Sequence, residues 1–431
     1  MNSTIVLDFV SKVSMKIGLL HPTIYASNKL FPGKIFAPNE LLTELSNQLV
    51  ENGHEVTMFT SADFPTKAKI EAAALDYIPN TPDYFKFRGL PPDRQAILKE
   101  EYAKRRFELE TVIRAVQVAK DQHLDVLHCY HDSSFFITHY LESLSPCPIV
   151  YTLHDPLPPP ESYEFQEFSR FTNHKYISIS NSQRNSRLKL NFISTVYHGV
   201  PVDKFTFGEK PSDYLLFMGR LTPEKGLHSA IKVALELNLQ LEIGTHFPDH
   251  DGENPYFEKE IKQYLENPLI GEPGMVEGED KQLLYKQARA LLFPIEWEEP
   301  FGMVMVEAMA CGTPVIAYNR GSVPEIVRDG VTGFIVEPEV TGPAAHQPQN
   351  QPSKGHPAFG GAPRLASPDG ENSKWVIKKR GVEGLIEAVK RIGEIDRRAC
   401  RKHVEENFTV EKMVENHVNV YKKIINRGQG G

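Results

Sequence analysis

The feature that most constrains this chain is a repeated alternation of short apolar runs with longer amphipathic stretches. A parallel strand buried on both faces reads as a continuous apolar run, and its crossover helix buries only one stripe, so the alternation implies parallel sheets with helical connections. Two such series follow one another. The first opens with Lys16-Ile17-Gly18-Leu19-Leu20 and a helix from Pro38, whose Leu41, Leu42, Leu45 and Leu49 share one face before Gly53 stops it. Strand-like runs at 55–60, 125–130, 148–153, 175–180 and 194–198 continue it, with the longest helix expected over 93–122. The second series runs through 214–219, 239–243, 290–293, 314–317 and 333–336.

At 431 residues the chain exceeds one ordinary domain of roughly 100–200 residues, so the two series read as two domains. The expected division is an extension over 1–14, a first domain over 15–203, a second over 204–409 and a last helix within 410–431, with the linker among the turn residues of 199–211. Residues 341–374 are rich in Pro, Gln, Gly and Ala and lack periodic apolar positions, which predicts a disordered insertion in the second domain.

A net charge of −8 provides no overall basic field, which argues against nucleic acid as a partner. Cys129, Cys147, Cys311 and Cys400 are scattered without ligand spacing and read as reduced thiols of a cytoplasmic protein. No run approaches the roughly 18 apolar residues of a membrane span, and Asp8 interrupts the apolar opening, which argues against a signal peptide. The run Lys104-Arg105-Arg106 reads as a solvated helix face, and leaves peripheral contact with a lipid or acidic acceptor open.

The densest chemistry lies in Glu299-Pro-Phe301-Gly302-Met303-Val304-Met-Val-Glu307-Ala-Met-Ala-Cys-Gly-Thr-Pro314. A strand ends before Glu299 and Gly302 opens a helix, whose unpaired N–H groups and positive dipole end suit a phosphate. Gly302 permits close approach of that anion. Glu307 falls in an apolar run, where an ionised carboxylate needs a polar partner: sugar hydroxyls, or a buried Lys or Arg. A second constellation, Gly219-Arg220-Leu-Thr-Pro-Glu-Lys225-Gly226, sets two cations directly after a strand. Two readings fit it: a solvated turn, or a clamp for the negative charge of a departing diphosphate.

The stretch 296–336 resembles the group-one glycosyltransferases, family four of the retaining enzymes, through Glu-Pro-Phe-Gly, the Glu-x7-Glu carboxylates, Ala-Met-Ala-Cys-Gly-Thr-Pro-Val-Ile-Ala and Asp-Gly-Val-Thr-Gly-Phe. The first series matches more loosely, through Gly53-His54-Glu55-Val56, Thr152-Leu153-His154-Asp155 and His198-Gly-Val-Pro-Val-Asp203. The resemblance implies a GT-B fold, an α/β architecture of two Rossmann-like domains with parallel sheets facing a central cleft. By it the second domain would bind a nucleotide-diphosphate sugar, with UDP as the leading nucleotide. The first would bind a small-molecule, glycan or lipid-linked acceptor, and the last helix would cross back to it.

The same resemblance implies roles residue by residue. Glu299 would contact the transferred sugar, Arg220 and Lys225 would clamp the diphosphate, and Phe301 and Gly302 to Val304 would line the donor. Glu307 would hold the ribose, His154 would approach the sugar from the first domain, and Gly33 in Phe31-Pro32-Gly33-Lys34 would be the donor-loop glycine. His128 is a weaker candidate, more simply a structural histidine. The family implies front-face displacement with retention and no metal or other cofactor. Asp249, His250 and Asp251 form a cluster with metal-ligand chemistry, but neighbouring residues on a glycine-containing loop rarely converge on an ion. A dinucleotide oxidoreductase would need Gly-x-Gly-x-x-Gly after the first strand, absent from 21–33. A non-catalytic module retaining the fold is distinguished by whether donor is turned over.

Overall fold

The computed structural model describes residues 14–31, 37–73, 92–130, 135–184, 187–248, 254–339 and 374–428, and within these the strands form two all-parallel sheets. The first sheet contains β1 (Lys16–Leu20), β2 (Glu55–Thr60), β3 (Lys69–Ala72), β4 (Val126–Cys129), β5 (Ile149–Leu153), β6 (Lys175–Ser178) and β7 (Phe192–Thr195), in the order β3-β2-β1-β4-β5-β6-β7. Its central strands β4 and β5 are buried along their whole length, as a sheet covered on both faces requires. Helix α1 (Ala37–Glu51) lays Leu42, Leu45 and Leu49 fully into the core, each contributing about 1.5–3 kcal/mol. Helices α2 (Pro92–Gln122), α3 (Phe135–Leu141) and α4 (Tyr163–Ser169) complete this unit's crossovers within the described residues.

In the first sheet, two strands depart from the sequence expectation. Edge strand β3 carries one large apolar residue, Ile70, in four partly exposed positions, so no apolar run announces it. Strand β7 ends at Thr195 instead of continuing to residue 198. Beyond it the chain belongs to the second unit, where Val200 donates to Phe408 O at 2.9 Å. A Cβ at Gly199 would lie 2.2 Å from Thr409 O, so only glycine fits that passage.

The second sheet contains β8 (Tyr214–Met218), β9 (Gln240–Gly244), β10 (Ile270–Gly271), β11 (Ala290–Phe293), β12 (Val315–Tyr318) and β13 (Gly333–Val336), in the order β10-β9-β8-β11-β12-β13. Its helices are α5 (Leu227–Leu237), α6 (Gly278–Gln287), α7 (Met303–Ala310), the short α8 (Val323–Ile326), α9 (Gly381–Arg391) and α10 (Arg397–Asn407). Buried Arg397 donates to the carbonyls of Gly208, Ala288 and Lys286 and to Thr313 Oγ1, at 2.6, 2.8, 2.7 and 2.9 Å, and so closes this unit's far end.

Each sheet starts at a central strand, builds outward and then reverses, at β1/β4 in the first and β8/β11 in the second. Ligands of open parallel sheets bind outside the strand carboxyl ends at such reversals. The two compact units comprise residues 1–178, 188–196 and 413–431, and residues 179–187 and 197–412. Helix α11 (Val410–Gly428) therefore starts in the second unit and belongs to the first from Met413, where Tyr421 OH lies 2.7 Å from His128 Nδ1. Of the 341–374 tract, only Lys374 lies among the described residues. Among those residues, no helix is long and apolar enough to cross a membrane.

Candidate active site

The reversal of the second sheet gathers two loops, one leaving β8 and one leaving β11. The β8 loop carries Arg220, exposed to solvent, and a tight turn over Pro223–Lys225 that ends at Gly226 with φ +76°. A Cβ there would stand 2.0 Å from Pro294 O, so the glycine lets the two loops press together. Glu296 N seals the contact by donating to Glu224 O at 2.8 Å.

Lys225 and Glu299 meet across this junction. Lys225 Nζ lies 2.7 Å from Glu299 Oε2, and Trp297 Nε1–H donates to the same oxygen at 2.8 Å. The ammonium also sits 4.7 Å from the centre of the Trp297 ring. With 13% and 11% of the two side chains exposed, little water screens the pair, and its attraction exceeds that of a surface ion pair.

The Glu299 backbone is fixed from the loop after β12. Gly321, at φ +54°, passes so close that a Cβ would lie 2.2 Å from Glu299 O and 2.4 Å from its N. Ser322 N donates to Glu299 O at 2.9 Å and Ser322 Oγ to Phe301 O at 2.7 Å. Gly302, at φ +83°, then turns the chain into α7, where no side chain caps the first N–H groups. Met303 and Val304 in that first turn are half-buried. The Phe301 side chain instead enters the core, 5.0 Å from the His198 ring and beside Phe408, so of its expected donor contacts only backbone groups remain.

Glu307 follows inside α7, nearly buried, with its carboxylate held from α6. Lys281 Nζ lies 2.9 Å from Oε2 and 3.0 Å from Oε1, and Tyr285 OH donates to Oε2 at 2.8 Å. The polar partner that burial demands is thus a lysine and a phenol. Burial and the adjacent carboxylate push the Tyr285 hydroxyl well above its usual range, so it stays a donor. Sequence reasoning missed both: their i, i+4 spacing puts them on one face of α6, but nothing local names the acid they meet.

In the first unit, His154 follows β5 and its ring lies 4.6 Å from that of Tyr130. His128 is fully buried, bonded to Tyr421 and, at 2.7 Å, to Thr152 Oγ1; burial holds its pKa well below the usual imidazole value, as for a core histidine. Gly33 and the cluster Asp249, His250 and Asp251 lie outside the described residues. The structure therefore brings Arg220, Lys225, Glu299, Gly302, Met303 and Val304 to one strand-end region, with Glu307 one helix turn further on. A carboxylate, two cations and a helix N-terminus there can neutralise a diphosphate beside a polarised sugar.

Two family models and several known proteins match the chain. The model "Glycosyl transferases group 1" matches residues 202–345 and "Glycosyltransferase Family 4" matches residues 39–204. An uncharacterized glycosyltransferase of Methanocaldococcus jannaschii is 24% identical over 330 residues, 68% of this chain and 80% of that protein. A D-inositol 3-phosphate glycosyltransferase of Mycobacterium is 30% identical over 188 residues, 38% of this chain and 40% of that enzyme. In fold, the crystal structure of Anabaena HepE in complex with UDP and glucose matches with a TM-score of 0.61 at 18% identity, over 95% of this chain and all of that one (100%).

Proposed function

The chain belongs to the group 1 glycosyltransferases of family 4, GT-B enzymes that are retaining hexosyltransferases using nucleotide sugars, and on that premise we propose that it moves a hexose from a UDP-linked donor to a hydroxyl acceptor. The transfer itself uses no metal ion in this reading. The observation that carries it is the convergence of Arg220, Lys225, Glu299 and the α7 N-terminus at the β8/β11 reversal.

In this reading Arg220 and Lys225 take the diphosphate, and the first N–H groups of α7, from Gly302 to Val304, receive its oxygens. As the bond to the anomeric carbon breaks, negative charge grows on the leaving phosphate, where fixed cations act most strongly. Glu299 faces the opposite charge, developing on the sugar ring. Glu307, held and oriented by Lys281 and Tyr285, has lone pairs left for ribose hydroxyls. The leaving oxygen accepts the acceptor's proton, and the acceptor, a small molecule, glycan or lipid-linked sugar, is taken by the first unit.

The test is calorimetry with UDP, GDP and ADP, followed by donor hydrolysis with the preferred nucleotide's glucose, galactose and N-acetylglucosamine conjugates. Binding led by UDP and release of sugar with retained anomeric configuration, read by NMR, is the expected result. No diphosphate binding, or an inverted product, overturns the reading.

A further inference from the structure

Outside the donor region, the first unit holds a cluster that the transfer chemistry does not use. His139, near the end of α3, and Glu142, one turn on, meet His174, which lies just before β6 and is distant from them in sequence. One ligand atom of each lies within 4.8 Å of the others. His174 Nδ1 is 2.7 Å from His139 Nδ1 and 2.8 Å from Glu142 Oε2.

The hydrogen bonds around the cluster determine what its atoms offer. Tyr176 OH donates to Phe171 O at 3.0 Å, so at 3.2 Å from His139 Nε2 its oxygen accepts, and the proton belongs on Nε2. His139 Nδ1 then presents a bare lone pair toward His174. Tyr151 OH donates to Glu142 Oε2 at 3.1 Å and orients the carboxylate. A single proton on His174 Nδ1 therefore faces two acceptors. A hydrogen bond at the ring nitrogen opposite the donor atom, as His139 Nε2 makes to Tyr176, is what orients a metal's imidazole ligand.

From this geometry we infer that His139 Nδ1, His174 Nδ1 and Glu142 Oε2 form a binding site for a single divalent transition-metal ion, with Zn²⁺ the best match. Two imidazoles and a carboxylate form a donor set that suits zinc. Binding needs no net loss of a proton from the rings: His174 moves its proton from Nδ1 to Nε2 and offers Nδ1 to the ion. The 2.7 Å between the two nitrogens must open to about 3.3 Å for tetrahedral ligation at Zn–N distances of about 2.0–2.1 Å. His174 and Glu142 can supply that movement, since each keeps 20% of its side chain exposed, and the same exposure admits water to the fourth position. Neighbouring Lys175, whose charge is felt at His174, opposes the cation and makes the affinity moderate. The ion would clamp the end of α3 to the segment entering β6, a structural role in the first unit independent of nucleotide.

The full-length chain, stripped with EDTA and dialysed, is titrated with ZnCl₂ by calorimetry without nucleotide, and with Co²⁺ by visible absorption. One ion per chain, a raised Tm and ligand-field bands of a tetrahedral cobalt site are expected. His174→Gln and Glu142→Gln, at partly exposed positions, should each weaken binding at least tenfold while keeping the wild-type circular dichroism spectrum and a cooperative melt. His139→Ala should abolish binding; because His139 is buried and that variant can fail to fold, the other two decide. No saturable binding to the wild type, or equal affinity and stoichiometry in His174→Gln and Glu142→Gln, overturns the site and assigns any bound ion to other histidines among the chain's 16.

Discussion

Lys225 Nζ and Glu299 Oε2, from two different loops, stand 2.7 Å apart with one ion pair between them, although each is assigned to a different part of the donor. A diphosphate arriving at Lys225 competes with Glu299 for the ammonium. Glu299→Gln weakens that competition and retains the side-chain shape. Turnover should fall by at least tenfold while affinity for free UDP stays level or rises. Lys225→Ala and Arg220→Ala should each weaken UDP binding. Calorimetry with UDP beside initial rates separates the cases, and a Glu299→Gln protein that binds UDP more weakly contradicts the arrangement.

Glu307 has a structural debt as well as a proposed ligand. Its removal leaves the fully buried Tyr285 hydroxyl without its carboxylate acceptor, and an unsatisfied buried donor costs about 1–3 kcal/mol. Glu307→Ala should therefore lower Tm and weaken UDP and UDP-sugar alike. Tyr285→Phe removes one hydrogen bond and should lower Tm by less. A Glu307→Ala protein with wild-type Tm and wild-type UDP affinity would remove the residue from both roles.

Gly321→Ala tests the positioning of Glu299 without touching its side chain. The added methyl would overlap the Glu299 backbone, at 2.2 Å from its carbonyl oxygen, and strain a φ of +54°. Displacing a catalytic group by about 1 Å costs on the order of 10²-fold in rate. Turnover measured beside the circular dichroism spectrum should show a large kinetic loss in a folded protein.

Replacing residues 341–373 with a short flexible linker should leave the melt and UDP affinity close to wild type. The described ends of this segment already meet, since Trp375 Nε1 donates to Glu337 Oε1 at 2.7 Å and Gly381 N to Glu337 O at 2.8 Å. Loop-closure cost changes only slowly with length. Differential scanning calorimetry decides, and loss of the cooperative transition would give the segment a structural role.

Acid should weaken the first unit through its buried histidines. Burial pushes His21 and His417 down to about 4 from 6.5, so both stay neutral in the folded chain while the unfolded chain takes up their protons. Their contribution is complete above pH 6.5 and is lost as pH falls toward 4, on the order of 3 kcal/mol for each. Tm measured from pH 7.5 to 4.5 should drop across that window, and His417→Gln should flatten the drop.

Much of this protein was legible along the chain. The apolar runs gave most strands of the two parallel sheets, because a buried parallel strand must be apolar whatever surrounds it. The run from Glu299 to Glu307 disclosed its loop, glycine and helix, because helix initiation is local chemistry. Edge strand β3 and the two-residue β10 left no such mark, since strands this short or exposed need no apolar run. Which charge meets which depends on the packing of distant segments. The encounters of Lys225 with Glu299, Lys281 and Tyr285 with Glu307, and His139 and Glu142 with His174 follow from how loops and helices pack around each sheet. Sequence specified the residues able to carry charge at the strand ends; only the tertiary structure paired them, because Coulomb attraction and hydrogen bonding act over a few ångströms of space regardless of separation along the chain.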